Sequence, residues 1–371
     1  MLIFVLMHLK SLSLVNFKNF ADASMGFPSR INCFLGDNGE GKTNLLDSIF
    51  YLAFCKSYFN PADSQNIKNE ENFMVVQGEF EREGEAEKIY CGIKRGQKKV
   101  FKRNKKEYEK LSDHIGFIPM VMISPSDSAL ILEGSDVRRK FLDLIISQYD
   151  KSYLENVISY NRALSQRNAL LKKFMESRRF DEQALEIWDE QLLHYGKPVH
   201  NARVDFVKEF GPLFQNYYDE ISGKKEKVEL IYDSQLENDS FEALLEKHQE
   251  KDRRMTHSTA GVHKDDLQFL IGGFPIKKFG SQGQQKTYLL ALKLAQAEYL
   301  KEVKKIKPIL LLDDIYEKLD EKRITKLLDI VNSEVFSQVF ITDTDPERIP
   351  TIFKKLGSEA NVFIVKNDEV L

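Results

Sequence analysis

The sequence predicts an α/β fold built on a phosphate-binding loop, with an antiparallel β subdomain beside it and a helical domain inserted between its two halves. Three observations predict it. Residues Gly36-Asp37-Asn38-Gly39-Glu40-Gly41-Lys42-Thr43 form a complete Gly-x-x-x-x-Gly-Lys-Thr loop. Residues Ile309-Leu310-Leu311-Leu312-Asp313-Asp314 form a wholly apolar run that ends in two carboxylates. Between them, from Val137 to about Gly223, glycine and proline become rare and apolar residues recur at helical spacing.

The loop sits in the context it needs. Ile31-Asn32-Cys33-Phe34-Leu35 reads as the strand that feeds it, and the amphipathic stretch from Asn44 to Leu52 reads as the helix that follows. Its glycines let the backbone curl so that N–H groups point inward. Those donors and the positive end of the helix make an anion site from Gly36, Asp37, Asn38, Gly39, Glu40, Gly41, Lys42, Thr43 and Asn44. Lys42 would reach the outer phosphates of a nucleotide, and Thr43 would hold Mg²⁺. Asp313 would hold the Mg²⁺ shell through water, and Asp314 would orient or deprotonate an attacking water. Thr43 and Asp313 lie about 270 residues apart, so the fold must bring them together.

Other elements follow in order. Leu9 to Val15 alternates and predicts a strand with one wet face. Phe73–Phe80, Lys88–Lys94, Lys98–Lys102 and Ile118–Ile123 predict strands of one antiparallel sheet, separated by charged turns. Two or three long helices are expected from Val137 to Gly223, with a break near Gly196-Lys197-Pro198. Residues 224–255 are charged and give no clear pattern. Leu267–Ile271 followed by Gly272-Gly273 suggests a hairpin. A helix from about Gln282 to Lys301, the buried strand after Pro308, a helix near Glu321–Ser333 and a strand at Gln338–Ile341 complete the pattern. The expected division is residues 1–134, an inserted helical domain over 135–255, and a returning lobe over 256–371.

Composition sets bounds. Hydrophobic residues make up 42% of the 371 and charged residues 30%, as in a soluble globular protein. The net charge of −3 exerts no global pull toward nucleic acid, so any such pull must be local. Cys33, Cys55 and Cys91 are scattered, which argues against a zinc site or disulfide framework and suits a reducing cytoplasm. The apolar start, Met1 to Met7, lacks the basic leader of a signal peptide and is too short to span a bilayer. It reads as an edge extension of the first strand or as residues ahead of a working start at Met7. One local pull exists. Lys94, Arg95, Lys98, Lys99, Lys102, Arg103, Lys105 and Lys106 carry eight positive charges with no acid among them. They form either a solvated hairpin or a surface for phosphates.

Ser281-Gln282-Gly283-Gln284-Gln285-Lys286 precedes a predicted helix. Ser281 suits a helix N-cap, and a serine and glycine there also suit an anion. A chain with its own phosphate loop needs no second one; a nucleotide held by a partner protomer would.

The order of these pieces, with Leu319-Asp320 after the paired acids, resembles ABC-type ATPase heads. Finer matches resemble the RecF family of bacterial recombination mediators. They are Gly36 to Asp47, Ile123-Ser124-Pro125-Ser126-Asp127, Gly134-Ser135 with Arg138-Arg139-Lys140-Phe141-Leu142-Asp143, Gly261-Val262-His263-Lys264-Asp265-Asp266-Leu267, and Gln282 to Lys286. The resemblance runs from about Met7 to past Thr344. Departures are Asp47 for the usual Glu, Val262 and Lys264 for Pro and Arg, and Gln282 for Arg. The last puts the speed of hydrolysis in doubt, but not nucleotide binding.

The resemblance implies an ABC-type head with a mixed sheet core that hydrolyses ATP with Mg²⁺. It implies an ATP-dependent homodimer on duplex DNA, in which Ser281, Gln282, Gly283 and Gln284 meet the partner's nucleotide. Glu317-Lys318-Leu319-Asp320 would lie at the seam, and Thr342 would sense the γ-phosphate, with Asp343 and Thr344 as candidates to share that task. RecR and RecO are the implied partners, and no membrane is. Simple capping of a strand end remains the other reading of Thr342. Arg138 and Arg139 could brace the nucleotide lobe through carboxylates. His263, Asp265 and Asp266 read as a polar strand entry rather than a metal cluster. Three other classes share parts of the pattern: a transporter's energy-coupling subunit, a chromosome-structure ATPase with a long coiled coil, and a scaffold that only switches shape.

Overall fold

A computed structural model describes residues 4–223, 226–314 and 321–371. Glu317-Lys318-Leu319-Asp320 therefore lies outside the described residues. The chain forms two compact units. The first comprises Met1–Asp127, Asn216–Lys225 and Gln282–Leu371, and the second Ser128–Gln215 and Glu226–Ser281.

The first unit is organised by a six-stranded sheet. Its order is Glu369–Val370, Ala360–Lys366, Ile31–Leu35, Gln338–Asp343, Ile309–Leu312 and Met120–Ile123. The last five run parallel, and the terminal hairpin adds one antiparallel edge. The four strands from Ile31–Leu35 to Met120–Ile123 are buried at every position. Covered on both faces, such strands need continuous apolar side chains, which is why they stand out in the sequence. Met120–Ile123 belongs here, not to the antiparallel sheet its neighbours suggested. Its unbroken apolar run pairs with Ile309–Leu312. Register aligns Asp343 with Leu35 and Leu312 with Ile341, so the carboxyl ends of three strands share one edge. Open parallel sheets bind ligands at that edge.

An antiparallel sheet stands in the same unit, ordered Phe20–Gly26, Met7–Phe17, Phe73–Arg82, Glu85–Lys94, Val100–Arg103 and Lys106–Glu107. One face is apolar, with Leu12, Leu14, Met74, Val76, Phe80, Ile89, Cys91 and Phe101 buried. It packs on the helix Lys42–Phe54: a Cβ at Gly78 would lie 2.6 Å from Leu52 Cδ1. The apolar N-terminus extends this unit, since Val5 bridges Ile306 in parallel.

The second unit holds the helices Ser135–Ile146, Lys151–Ser177 and Phe241–Met255 and most of Glu182–Ser222. Asp150 and Ser240 cap two of them by accepting from Tyr153 N and Ala243 N. The break expected at Gly196-Lys197-Pro198 is not there; Glu182–Ser222 runs through Pro198 and Pro212. Gly196 serves packing instead, because a Cβ would meet Phe241 Cε1 at 2.5 Å and Tyr160 Cε2 at 2.9 Å. Buried Arg167 ties three segments together, reaching Asp189 Oδ1 at 2.5 Å, Asp252 Oδ2 at 2.6 Å and Ser258 Oγ at 2.9 Å.

A three-stranded sheet, Phe274–Pro275, Asp266–Ile271 and Val228–Asp233, completes this unit. It moves the seam. The sequence suggested a returning lobe from 256, but Asp266–Ile271 pairs over its length with Val228–Asp233, and the first unit resumes at Gln282. Cross-strand pairing, invisible in the charged stretch 224–255, is the reason.

Candidate functional site

The strand Ile31–Leu35 delivers the loop to the sheet's carboxyl edge. Gly36 must be glycine for a close approach, since a Cβ there would lie 2.2 Å from Val365 O. Gly41 starts the helix at φ 99°, in the left-handed region that glycine enters without penalty. Lys42 is buried, and its Nζ donates to Gly36 O and Asp37 O, both at 2.8 Å. Burial lowers its pKa, while Asp314, Asp313 and Asp343 oppose that shift. Asp37, Asn38 and Gly39 are exposed at the loop's crest; Glu40, Thr43 and Asn44 are half-buried.

Asp313 is the centre. Thr43 Oγ1 donates to its Oδ1 at 2.9 Å, and Thr342 Oγ1 donates to the same oxygen at 3.0 Å. Burial raises the Asp313 pKa, and those two hydrogen bonds pull it back. Thr43 and Asp313 would hold a Mg²⁺, Thr43 directly and Asp313 through water, and the ion would neutralise phosphate charge there. Thr342 Oγ1 also accepts from Asp314 N at 2.9 Å. Asp314 has φ 44°, a left-handed conformation costly for a non-glycine residue and common where function over-determines the backbone. The cleft above is lined by Asn38, Lys42 and Thr43 of the loop and by Asp313, Asp314 and Thr342. Gln282, Gly283 and Gln284, in the same unit, do not line it.

Asp343 closes its strand, with Oδ1 accepting from Thr344 N at 2.7 Å and Asp345 N at 3.3 Å. Its Oδ2 is buried without a hydrogen bond, and burial raises its pKa. Asp47 takes the buried place expected of a glutamate and receives Lys18 Nζ at 2.6 Å, Ser57 Oγ at 2.6 Å and Tyr58 N at 2.7 Å.

Some participants were not foreseen. Asn19 Nδ2 donates to Asp368 Oδ1 at 2.6 Å, and Asn44 Nδ2 donates to Asn19 Oδ1 at 2.6 Å. Asn367 N donates to Glu40, so the C-terminal hairpin is stitched to the loop. No motif carries that pairing; an Asn-Asp turn between two short apolar runs is the only hint. Lys293, nearly fully buried, contacts Asp127 at 2.7 Å and Met122 O at 3.0 Å.

Ser281 is exposed and ends the second unit; Gln282 opens the helix Gln282–Lys304 in the first. Arg323, also unforeseen, donates Nε to Thr287 Oγ1 at 2.7 Å, and its guanidinium lies 3.4 Å from where a Gly283 Cβ would be. Thr287 in turn donates to Gly283 O at 2.9 Å.

The eight basic residues do not act alike. Lys99 Nζ turns inward to Cys55 O at 2.6 Å, Asp63 Oδ2 at 2.7 Å and Tyr51 OH at 3.0 Å. Arg103 pairs with Glu87 at 2.5 Å and stacks 3.8 Å over Phe117. Arg95 Nε donates to Glu71 O at 2.9 Å. Lys94, Lys98, Lys105 and Lys106 are exposed, and Lys102 lies over the Tyr90 ring at 5.8 Å. Strand alternation explains the split, because Lys99, Phe101 and Arg103 share the inner face.

In the second unit, Arg138 grips Asp266 with two bonds of 2.6 and 3.0 Å, and Arg139 donates to Asp265 O at 2.6 Å. These arginines brace their own unit, not the nucleotide lobe. His263 Nδ1 bonds Tyr160 OH at 2.8 Å and its Nε2 bonds Ser258 O at 3.1 Å, so it serves a local network. Among the described residues, no helix is long and apolar enough to cross a membrane.

A sequence model of the RecF/RecN/SMC N-terminal domain matches residues 8–361. The DNA replication and repair protein RecF of Flavobacterium johnsoniae is 52% identical over 96% of this chain and 99% of its own length. That of Phocaeicola vulgatus is 52% identical over 98% of both. Solved structures of the recombination mediator protein RecF of the RecFOR pathway, with ATPrS and with ATP, are similar at TM-scores of 0.88 and 0.90. Each is 32% identical; the first covers 100% of this chain and 99% of that one, the second 99% and 98%. An Smc head domain from Pyrococcus furiosus, 17% identical over 98% of this chain and 96% of its own, shares the fold at a TM-score of 0.56.

Proposed function

The chain belongs to the RecF family of DNA replication and repair proteins, with the fold of an ABC-type ATPase head, and on that premise we propose that it is a DNA-binding ATPase of recombinational repair and replication restart. It dimerises on duplex DNA with ATP bound, hydrolyses slowly, is stimulated by DNA, and helps load recombinase at gaps. The single observation that carries the ATPase reading is the shared Asp313 oxygen, which gathers Thr43 and Thr342 around one point and leaves Asp314 held by Thr342.

The loop N–H groups cradle the phosphates, and Lys42 exchanges its two loop carbonyls for phosphate oxygens. Thr43 and Asp313 would hold Mg²⁺, which supplies charge neutralisation at the phosphates. Asp314 orients the attacking water and takes its proton. Thr342 links Asp313 to Asp314, so a change at the phosphate side moves both acids together.

An exposed Ser281, with Gln282–Gln284 outside the loop's cleft, supports a nucleotide completed by a second copy. ATP then favours the closed dimer only as far as it binds that state better. RecR and RecO are the proposed partners, a reading supported by the RecFOR pathway named for the similar RecF structures.

The test is light scattering with ATP and Mg²⁺. The apparent mass should rise toward a dimer, and Ser281→Arg should abolish that rise while nucleotide still binds. A monomer that ignores ATP rejects the sandwich. Asp314→Asn should bind ATP yet turn over roughly 10²- to 10⁴-fold more slowly, the span of general-base catalysis. Unchanged turnover would remove Asp314 as the base.

A further inference from the structure

At the far end of two helices in the second unit lies a pocket of about 480 Å³ that the nucleotide chemistry does not use. Helix Lys151–Ser177 ends there with Arg178 in a left-handed turn at φ 53°, and helix Phe241–Met255 ends there with Arg253 and Arg254 in its last turn. The floor is apolar. Phe174 and Phe180 meet edge to face at 5.3 Å, and Met175 is 62% exposed beside them. The rim is cationic, with Arg178, Arg179, Arg253 and Arg254 against a single acid, Glu250. The Arg253 guanidinium carbon sits over the Phe180 ring, 3.9 Å from its centroid. A guanidinium over an aromatic ring still has its N–H groups to offer, and those can meet a carboxylate with two bonds.

Two of these arginines also complement the negative end of their own helix, which needs only one or two cations. Four around one cavity exceed that need. An exposed methionine in the lining is unexplained by helix capping, and soft thioethers recur on surfaces that receive partner side chains.

We propose that this pocket docks an acidic peptide segment of a partner protein. One large apolar side chain seats against Phe174, Met175 and Phe180, and flanking carboxylates pair with Arg178, Arg179 and Arg254. A nucleic acid would also meet the arginines, but its phosphates have no use for a concave apolar floor. Phosphate-tracking surfaces are stripes rather than pockets. Volume agrees, since the cavity lies within the few-hundred Å³ range of preformed ligand sites.

The experiment is fluorescence anisotropy on the full chain with a labelled octapeptide of six acidic residues flanking a Leu-Phe pair. Controls are the same peptide with that pair replaced by glycines, and a single-stranded oligonucleotide of equal charge. The Leu-Phe peptide should bind roughly tenfold more tightly than the glycine peptide. Arg254→Glu and Arg179→Glu should each weaken it roughly tenfold or more. Met175→Asp should weaken it while leaving oligonucleotide binding untouched. Circular dichroism and retained ATP-analogue binding establish that each variant is folded, and two exposed arginines tested separately guard against a local defect. Equal binding of both peptides, oligonucleotide binding that Arg254→Glu and Arg179→Glu abolish, or no peptide binding at 100 µM or so would each overturn the proposal.

Discussion

A carboxylate oxygen that accepts from two hydroxyls is a small arrangement with large reach. Asp313 Oδ1 joins Thr43, at position two of a helix, to Thr342, on a strand about 300 residues later in sequence. The sequence made Thr43, Asp313 and Asp314 legible because each belongs to a motif whose chemistry dictates its type. Asn19 and Arg323 were illegible because their partners are set by tertiary pairing, not spacing. His114 is another such residue, and it carries a pH dependence. It is fully buried; Nε2 donates to Leu52 O at 2.7 Å and Nδ1 accepts from Tyr108 OH at 3.1 Å. Burial pushes its pKa down to about 4. The sign follows from the lowered value. Well above pH 6.5 both states are neutral and the site's full contribution is present; as pH falls through 6.5 toward 4, the unfolded chain takes up a proton that the folded one refuses, and stability is lost. Between pH 7 and pH 5 the loss should be about 2 kcal/mol. Urea unfolding should show a fall smaller by about that amount in His114→Gln than in the parent. Equal falls would mean that His114 is protonated in the folded state.

At the scale of elements, periodicity found the strands and helices, but it misplaced one strand among the sheets and misread one glycine. The buried strands of the parallel sheet show as apolar runs because both faces are covered, yet that pattern does not say which sheet Met120–Ile123 joins, and its neighbours in sequence point wrongly to the antiparallel one. Gly196-Lys197-Pro198 looks like a helix stop, yet the 41-residue helix continues through it. A proline removes one backbone bond and costs roughly 3 kcal/mol, and the buried row of Leu192, Val199, Phe206, Phe210 and Phe214 outweighs that. Gly196 is a packing glycine, and this makes a prediction in which two effects compete. Alanine would gain about 1 kcal/mol of helix propensity. It would also place a Cβ 2.5 Å from Phe241 and 2.9 Å from Tyr160. Both rings are buried, and Tyr160 is further held by His263 at 2.8 Å, so neither swings away cheaply. Overpacking should win, and Gly196→Ala should be destabilised by about 1–3 kcal/mol in thermal melts, with ATP binding intact. Phe241→Leu in the same chain should restore part of the loss. A melt unchanged or raised by Gly196→Ala would return Gly196 to the role of a chance residue.

For the whole molecule, the proposed duplex binding raises the question of how a chain of net charge −3 would hold DNA. The run from Lys94 to Lys106 made a basic hairpin legible, but charge in a sequence does not say which way a side chain faces. Strand alternation sends Lys99 to Asp63 and Arg103 to Glu87, so each of these two cations is paired with a carboxylate, Lys99 nearly buried and Arg103 partly exposed. The exposed cations are Lys94, Arg95, Lys98, Lys105 and Lys106, with Lys102 half-buried on the Tyr90 face. Two outcomes separate the groups. Reversing Lys98 and Lys102 to glutamate should weaken ATP-dependent duplex binding and reduce the slope of log affinity against log salt by roughly two, one for each phosphate left without its lysine. The melting temperature should barely move, because solvated lysines add little to stability. Lys99→Glu should do the reverse. It would face Asp63 at 2.7 Å and the carbonyl of Cys55, so the fold should loosen while the salt slope of the remaining folded protein stays near that of the parent. If all three substitutions changed the salt slope alike, the inward turn of Lys99 would be wrong. If none did, duplex DNA would have to be held elsewhere on an acidic chain, by a surface that composition does not reveal.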